Sequence, residues 1–285
     1  MKKALLAGIA CLFAQCLFAQ QTLKFTVKYL PMQSYATTYK MDMDMNMNIG
    51  DEAVAQALKA AGQPSGMKMK MNMTTAIDLV TQVTNAKKEV PFIATYTDFA
   101  MGGSMNGQPL PLPETSIKGF GFLGHYANDT RKFVIDRING DTTNMAAKAA
   151  AQAQFSQVFN QYSFPDATLK IGDTFEQSVP VSVPVGAGST EVMTKIKYTL
   201  KEIKANEAIF DLDQVLDMTM DLPQGAGKMD MKGSGKGTMV YDIAAMFPVR
   251  SVIDMNFTFK MNSGSAPISG DMKGVSVTEV KVTKK

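Results

Sequence analysis

Met41-Asp42-Met43-Asp44-Met45-Asn46-Met47-Asn48-Ile49 decides how the rest of the chain is read. Every odd position is apolar and every even position is polar. A β-strand sends successive side chains to opposite faces, so this segment has one thioether face and one acidic-amide face. A second copy follows at Met67-Lys68-Met69-Lys70-Met71-Asn72-Met73-Thr74, and its alternation runs on through Thr75, Ile77, Leu79 and Val83. The even face of the first copy carries Asp42 and Asp44; that of the second carries Lys68 and Lys70. Opposite charges across a strand pair contribute roughly 0.2–1 kcal/mol per pair. The two segments are therefore expected to be antiparallel neighbours, with methionines on one face and a charge ladder on the other. The candidate ligand-facing residues are Met41, Met43, Met45, Met47, Met67, Met69, Met71 and Met73.

Around this hairpin the chain alternates almost throughout. Leu23 to Tyr29 reads as a first strand ended by Pro31. Between the methionine segments, Asp51 can cap a short helix over 51–61, with Val54, Leu58 and Ala61 on one face and Gly62 and Pro64 as the stop. A helix where two turn residues would suffice points to a covering role. Val90 to Met101, Ile117 to Tyr126 and Arg131 to Ile138 read as further strands. Asp141 to Tyr162 is the one long helical pattern, with Met145, Ala149, Gln152, Phe155, Val158 or Phe159, and Tyr162 at helical spacing. The plan then repeats. Leu169 to Phe175 is a leading strand, and alternating runs follow at 190–203, 208–220, 228–242, 249–260 and 272–282. Both halves contain a Gly-rich tip and a Val-Ile-Asp, at 134–136 and 252–254. The expected fold is mainly β within the α+β class: a large curved antiparallel sheet in two pseudo-repeated lobes, 20–140 and 163–285, joined by a long helix at 141–162.

Lys2 and Lys3, the apolar run Ala4 to Ala14 and the small-residue end Leu17-Phe18-Ala19 read as a secretory signal over 1–19, too short for a membrane span. No other run approaches spanning length, so membrane association would not use a transmembrane helix. Neither Cys11 nor Cys16 sits in the Leu-small-small context of a lipoprotein signal. Both cysteines fall inside the signal, so the exported chain is expected to have no disulfide, thiolate nucleophile or Cys ligand. The expected address is the periplasm, cell envelope or exterior. Without Lys2 and Lys3, the formal charge of +3 becomes +1. A near-neutral surface gives no electrostatic reason to expect nucleic acid.

The motifs that tempt are structural. Gly119-Phe120-Gly121-Phe122-Leu123-Gly124 matches G-x-G-x-x-G, but a dinucleotide site needs a helix to follow, and His125-Tyr126 continues a strand. Gly233-Ser234-Gly235-Lys236-Gly237-Thr238 lacks the leading glycine and the Ser or Thr after the lysine of a phosphate loop. His125 is the only histidine, so no His-His metal pair exists, and no G-x-S-x-G elbow accompanies it. No enzyme, cofactor or metal is expected from this inventory.

The anomaly is 23 methionines with no tryptophan. Three readings compete. Met can stand for Leu and Ile in a filled core, worth about 1.5–3 kcal/mol each when buried. It can line a deformable concavity for an apolar ligand, being unbranched and polarizable. It can bind Cu(I), because thioethers are soft ligands. An outer-membrane barrel shares the long alternating strands, but the chain lacks a tryptophan girdle and ends without a terminal aromatic.

Leu23-Lys24-Phe25-Thr26-Val27-Lys28-Tyr29 and Ser163-Phe164-Pro165-Asp166-Ala167-Thr168-Leu169-Lys170-Ile171-Gly172-Asp173-Thr174-Phe175, with Tyr198 to Ile203 and Tyr241-Asp242, resemble a family of exported bacterial proteins of unknown function. Where that pattern has Trp after Gly-Asp-Thr, this chain has Phe175. The build implied is similar to carriers that ferry lipoproteins or lipids across the periplasm. The resemblance therefore implies a lipid, other apolar ligand or lipoprotein as partner, and offers no catalytic residues. It adds a non-catalytic binding protein to the readings, beside a structural or interaction module with a filled core.

Overall fold

The computed structural model describes residues 22–50, 66–110, 117–139, 164–185, 188–221, 227–263 and 266–285, with Gln56, Ala60, Lys148, Ala149, Ala151, Gln152, Phe155 and Phe159 between them. Of the described residues, 76% are in strands and 4% are helical, so the fold is nearly all β. The expected α+β class is overturned, and with it a long helix as a major element. The helices expected at 51–61 and 141–162 fall mostly outside the described residues. The positions described within them have helical backbone, and Ala151, Phe155 and Phe159 belong to the core.

The strands are β1 (Thr22–Phe25), β2 (Gln33–Ile49), β3 (Gly66–Thr81), β4 (Val90–Met105), β5 (Gln108–Pro109), β6 (Gly121–Ala127), β7 (Lys132–Asn139), β8 (Ala167–Lys170), β9 (Thr174–Val185), β10 (Gly188–Lys204), β11 (Glu207–Asp221), β12 (Lys228–Asp242), β13 (Phe247–Ser263) and β14 (Ala266–Lys284). Twelve form one antiparallel sheet in the order β7-β6-β4-β3-β2-β14-β13-β12-β11-β10-β9, with β5 on β4. The two halves of the chain meet edge to edge at β2 and β14, so their strands make one continuous sheet. β1 and β8 pair only with each other.

The sheet curls tightly. A flat sheet would hold β7 and β13, six strands apart, roughly 29 Å from one another. Yet the rings of Phe133 on β7 and Phe247 on β13 both rest on Tyr29, at 4.7 and 5.0 Å. On the other side Phe25 gathers Phe175 of β9, Phe210 of β11 and Tyr241 of β12 at 4.9–5.2 Å. The stretch expected as a first strand, 23–29, is thus the axis of the molecule. Only 22–25 pair as a strand, while Leu23, Phe25, Val27 and Tyr29 all stay buried. Alternation recorded burial on one side there, and a partner strand was not needed for most of it. Register shifts at Ala76/Ile77, Leu123/Gly124, Leu200/Glu202 and Val240/Tyr241 all lie in this aromatic half, where bulges add the twist that curling requires.

The same length mismatch creates the other end. β2 and β13 have 17 residues and β14 has 19, so they run roughly 55–65 Å at about 3.4 Å per residue. β1 and β8 have four each. The ribbon and the helical residues plug one end, the base, and the far half of the long strands forms a tip beyond the plug. The outer edges are protected: β9 contains Pro180 and Pro184, which have no N–H to offer a further strand, and β7 is short and carries Lys132, Asp136 and Arg137.

Candidate functional site: the methionine face of the tip

The two methionine segments pair antiparallel, with Met41 opposite Met73, Met43 opposite Met71, Met45 opposite Met69 and Met47 opposite Met67. All eight share the face that carries the buried Tyr35, Ile77 and Leu79 at the base. This is the inside of the curl, and the charged residues lie outside. A lipid-exposed barrel needs the opposite arrangement.

The flanking strands extend the face with residues that the sequence reading passed over. Met105 and Met101 of β4 stand opposite Met69 and Met73, and Met272 of β14 stands opposite Met45. One row therefore runs Met105, Met69, Met45, Met272 across four adjacent strands. The next runs Gly103, Met71, Met43, Gly274, and the one after it Met101, Met73, Met41, Ser276. The signal for Met101 and Met105 was their same-face spacing; the bulge at Ala76/Ile77 puts them in phase with β3. Met272 stands alone between glycines, with no repeat to flag it.

All of the eight candidates but Met73 are half-buried, and they differ in what they pack against. Leu216, Met229, Met231, Phe257 and Phe259 form a second buried cluster at the tip, and Met45, Met47, Met218, Met255, Met261, Ile268 and Met272 pack against it. Rings folded over glycines help to close it: a Cβ on Gly233 would lie 2.3 Å from the Phe257 ring, and one on Gly270 would lie 2.6 Å from that of Phe259. Met73 is buried. Met41, Met43, Met67, Met69 and Met71 are half-buried, and Met101 and Met105 are 38% and 40% exposed. The open part of the face is therefore the β2–β3–β4 side. Beside Met41, burial pushes the Tyr39 hydroxyl up to about 12, and this hydroxyl donates to the Met41 sulfur at 3.4 Å.

The polar face sets a different register from the one that charge alone suggests. Asp44 lies opposite Lys70, 3.6 Å away, and opposite Lys273 on its other side, whereas Asp42 faces Asn72 and Lys68 faces Asn46. Asn46 donates to Asp271 at 2.9 Å. Sliding β3 by two residues would pair both aspartates with both lysines and keep every methionine inside. The observed register is held from the base, where Tyr35 meets Leu79 and Thr37 meets Ile77.

A cleft of about 670 Å³ lies at the tip, lined mainly by polar-face residues such as Asn46, Asn48, Lys68 and Asn106. It touches Met47 and Met67 but does not border Met43, Met45, Met69 or Met71. At its centre the methionine face is half-buried surface within the curl. The Asn106-Gly107 turn, both residues at positive φ, locks onto this end: Asn106 N–H donates to the Lys68 carbonyl at 2.7 Å, and its Oδ1 accepts from Lys68 N–H at 2.8 Å.

The other motifs lie in strands or, for Gly119 at positive φ, in the turn before β6. Gly121 and Gly124 lie in β6, and Gly233 to Thr238 lie in β12. His125 Nδ1 is 3.2 Å from Asp136, and its Nε2 is 3.7 Å from Glu89. Among the described residues, no group of three or more His, Cys, Asp or Glu could hold a metal ion.

No family model matches the chain, and no curated protein matches it. Among solved structures it is similar to lipovitellin, in a structure concerned with that protein's lipid–protein interactions, with 9% identity and a TM-score of 0.49. The alignment covers 90% of this chain and 26% of lipovitellin, so the chain spans about a quarter of that protein. It is also aligned with the type II secretion system secretin of E. coli K12, with 8% identity and a TM-score of 0.24 over 99% of this chain and 54% of the secretin.

Proposed function

We propose that this is a non-catalytic exported protein of the bacterial envelope that holds a lipid or other apolar ligand against the open methionine face of β2, β3 and β4. One observation carries the reading. Met41, Met43, Met67, Met69, Met71, Met101 and Met105 form a contiguous apolar surface inside the curl, left part-exposed beside a cluster of the same sheet that is solidly packed. Contiguous apolar patches, unlike singly scattered apolar residues, are the surfaces that mark ligand grooves and interaction sites. Methionine suits it, because flexible thioethers repack around irregular chains. From Met41 to Met47 the face runs about 20 Å at 3.4 Å per residue. Each CH₂ that leaves water for it gains about 0.8 kcal/mol, before the ordering of ligand and side chains is subtracted.

The second reading is a structural or interaction module with a filled core, which the cluster around Phe257 and Phe259 favours. Native mass spectrometry of the protein purified from its host's membrane fraction separates the two. The apolar-ligand reading expects a heavier species that reverts to the bare chain on organic extraction, and expects its loss in Met43→Asp with Met71→Asp. A single ligand-free species would sink it.

A further inference from the structure

We infer that the row Met105, Met69, Met45 and Met272 is a binding site for a soft monovalent cation, Cu(I) or its redox-inert counterpart Ag(I). The sheet brings these residues from four adjacent strands to one level, each directly opposite the next. Directly opposed residues hold their Cβ atoms about 4.5–5.5 Å apart. With three rotatable bonds in each side chain, neighbouring sulfurs can turn to a common point. Thioethers are soft donors that select Cu(I) over hard divalent ions.

The surroundings sharpen this selection. The rows on either side of the site on this face are Met67, Met47 and Gly270, and Gly103, Met71, Met43 and Gly274, none of which carries a charge. Asp42, Asp44, Lys68 and Lys70 all point to the other face. A calcium or magnesium ion would find no carboxylate here. Met105, 40% exposed, opens one end of the row to solvent, while Met45 and Met272 are anchored against the buried cluster. The site therefore has a route in and a fixed wall.

This inference stands apart from the apolar-ligand reading. Met→Leu keeps size and apolarity while removing the sulfur, so the same variants test the two independently. The mature chain is titrated with Ag(I) in chloride-free buffer and followed by calorimetry and native mass spectrometry. The expected result is saturable binding that weakens at least tenfold in Met45→Leu with Met69→Leu, with an unchanged melting temperature. Met105→Leu with Met272→Leu should weaken it in the same way, which covers the case of one pair disturbing the fold. Met193→Leu, at a residue 57% exposed and outside the face, should bind like the parent. No saturable binding by the parent, equal binding by both double variants, or equal loss in Met193→Leu would each overturn the site. Apolar-ligand binding should persist in every leucine variant.

Discussion

Phe25→Ala should loosen the curl at its base. Phe25 is fully buried and its ring meets Phe164, Phe175, Phe210 and Tyr241 at 4.9–5.6 Å, joining β1 to the β9–β12 side of the sheet. Truncating a buried Phe to Ala costs about 3–5 kcal/mol, and more where the cavity cannot collapse. Aromatic pairs add about 0.5–1.5 kcal/mol beyond burial, not additively. Four partners, three fixed on β9, β11 and β12 and Phe164 just before β8, cannot close the gap together, which places the loss near the upper end, about 5 kcal/mol. Whole-domain stabilities are about 5–15 kcal/mol, so the variant stands near the limit of folding. At about 2–4 °C per kcal/mol for a chain of this size, the melting temperature should fall by about 10–20 °C. Urea unfolding and calorimetry, with Val83→Ala as a control at a residue 68% exposed, measure it. A loss no larger than the control's would refute the plug as the feature that holds the curl.

Two further outcomes follow from the register and from the buried tyrosines. Asp44→Cys with Lys70→Cys should form a disulfide with each other, because directly opposed residues bring their Cα atoms to about 4.5–5.5 Å, within disulfide reach. Asp42→Cys with Lys70→Cys, offset by two residues, should not; the reverse result in non-reducing mass analysis would establish the slipped register. Burial pushes the hydroxyls of Tyr35, Tyr39 and Tyr241 up to about 12 from the usual 10, so the folded state keeps protons that the unfolded state releases. Their contribution is complete below pH 10 and is lost as pH rises to about 12. The urea midpoint should therefore fall across that interval with a slope shared by several groups, and a flat profile would contradict the burial of these hydroxyls.

Much of the sheet was legible in the chain. Alternation placed β2, β3, β4, β7 and β10–β13 within a few residues and found β14 without its first stretch, 266–271, because a period of two is imposed by the strand itself wherever one face is buried. It also put the methionines on one face and the charges on the other. The same alternation misled at 23–29, where an axial segment shows a strand's burial pattern with few strand bonds. The α+β class failed because helical periodicity describes a segment's own face and says nothing of how far the strands dominate the whole.

What no local pattern could decide was how the methionine strands align and which methionines stay open. M-D-M-D-M-N and M-K-M-K-M-N repeat every two residues, so a two-residue slide costs the tip nothing and even improves its charge pairing. The choice is made some 20–30 Å away at about 3.4 Å per residue, where Tyr35 and Leu79 share one packed core and tolerate one alignment. Likewise, all four of Met45, Met47, Met69 and Met71 are half-buried and read alike in sequence, yet Met45 and Met47 pack against the solid cluster while Met69 and Met71 lie on the β3 side away from it. Their neighbours differ: β14 and β13 bring Phe257 and Phe259 to one side, and β4 brings glycines and exposed methionines to the other. The chain by itself determined which residues face inward; the order of the strands, a property of the folded sheet alone, decided what each of them meets there.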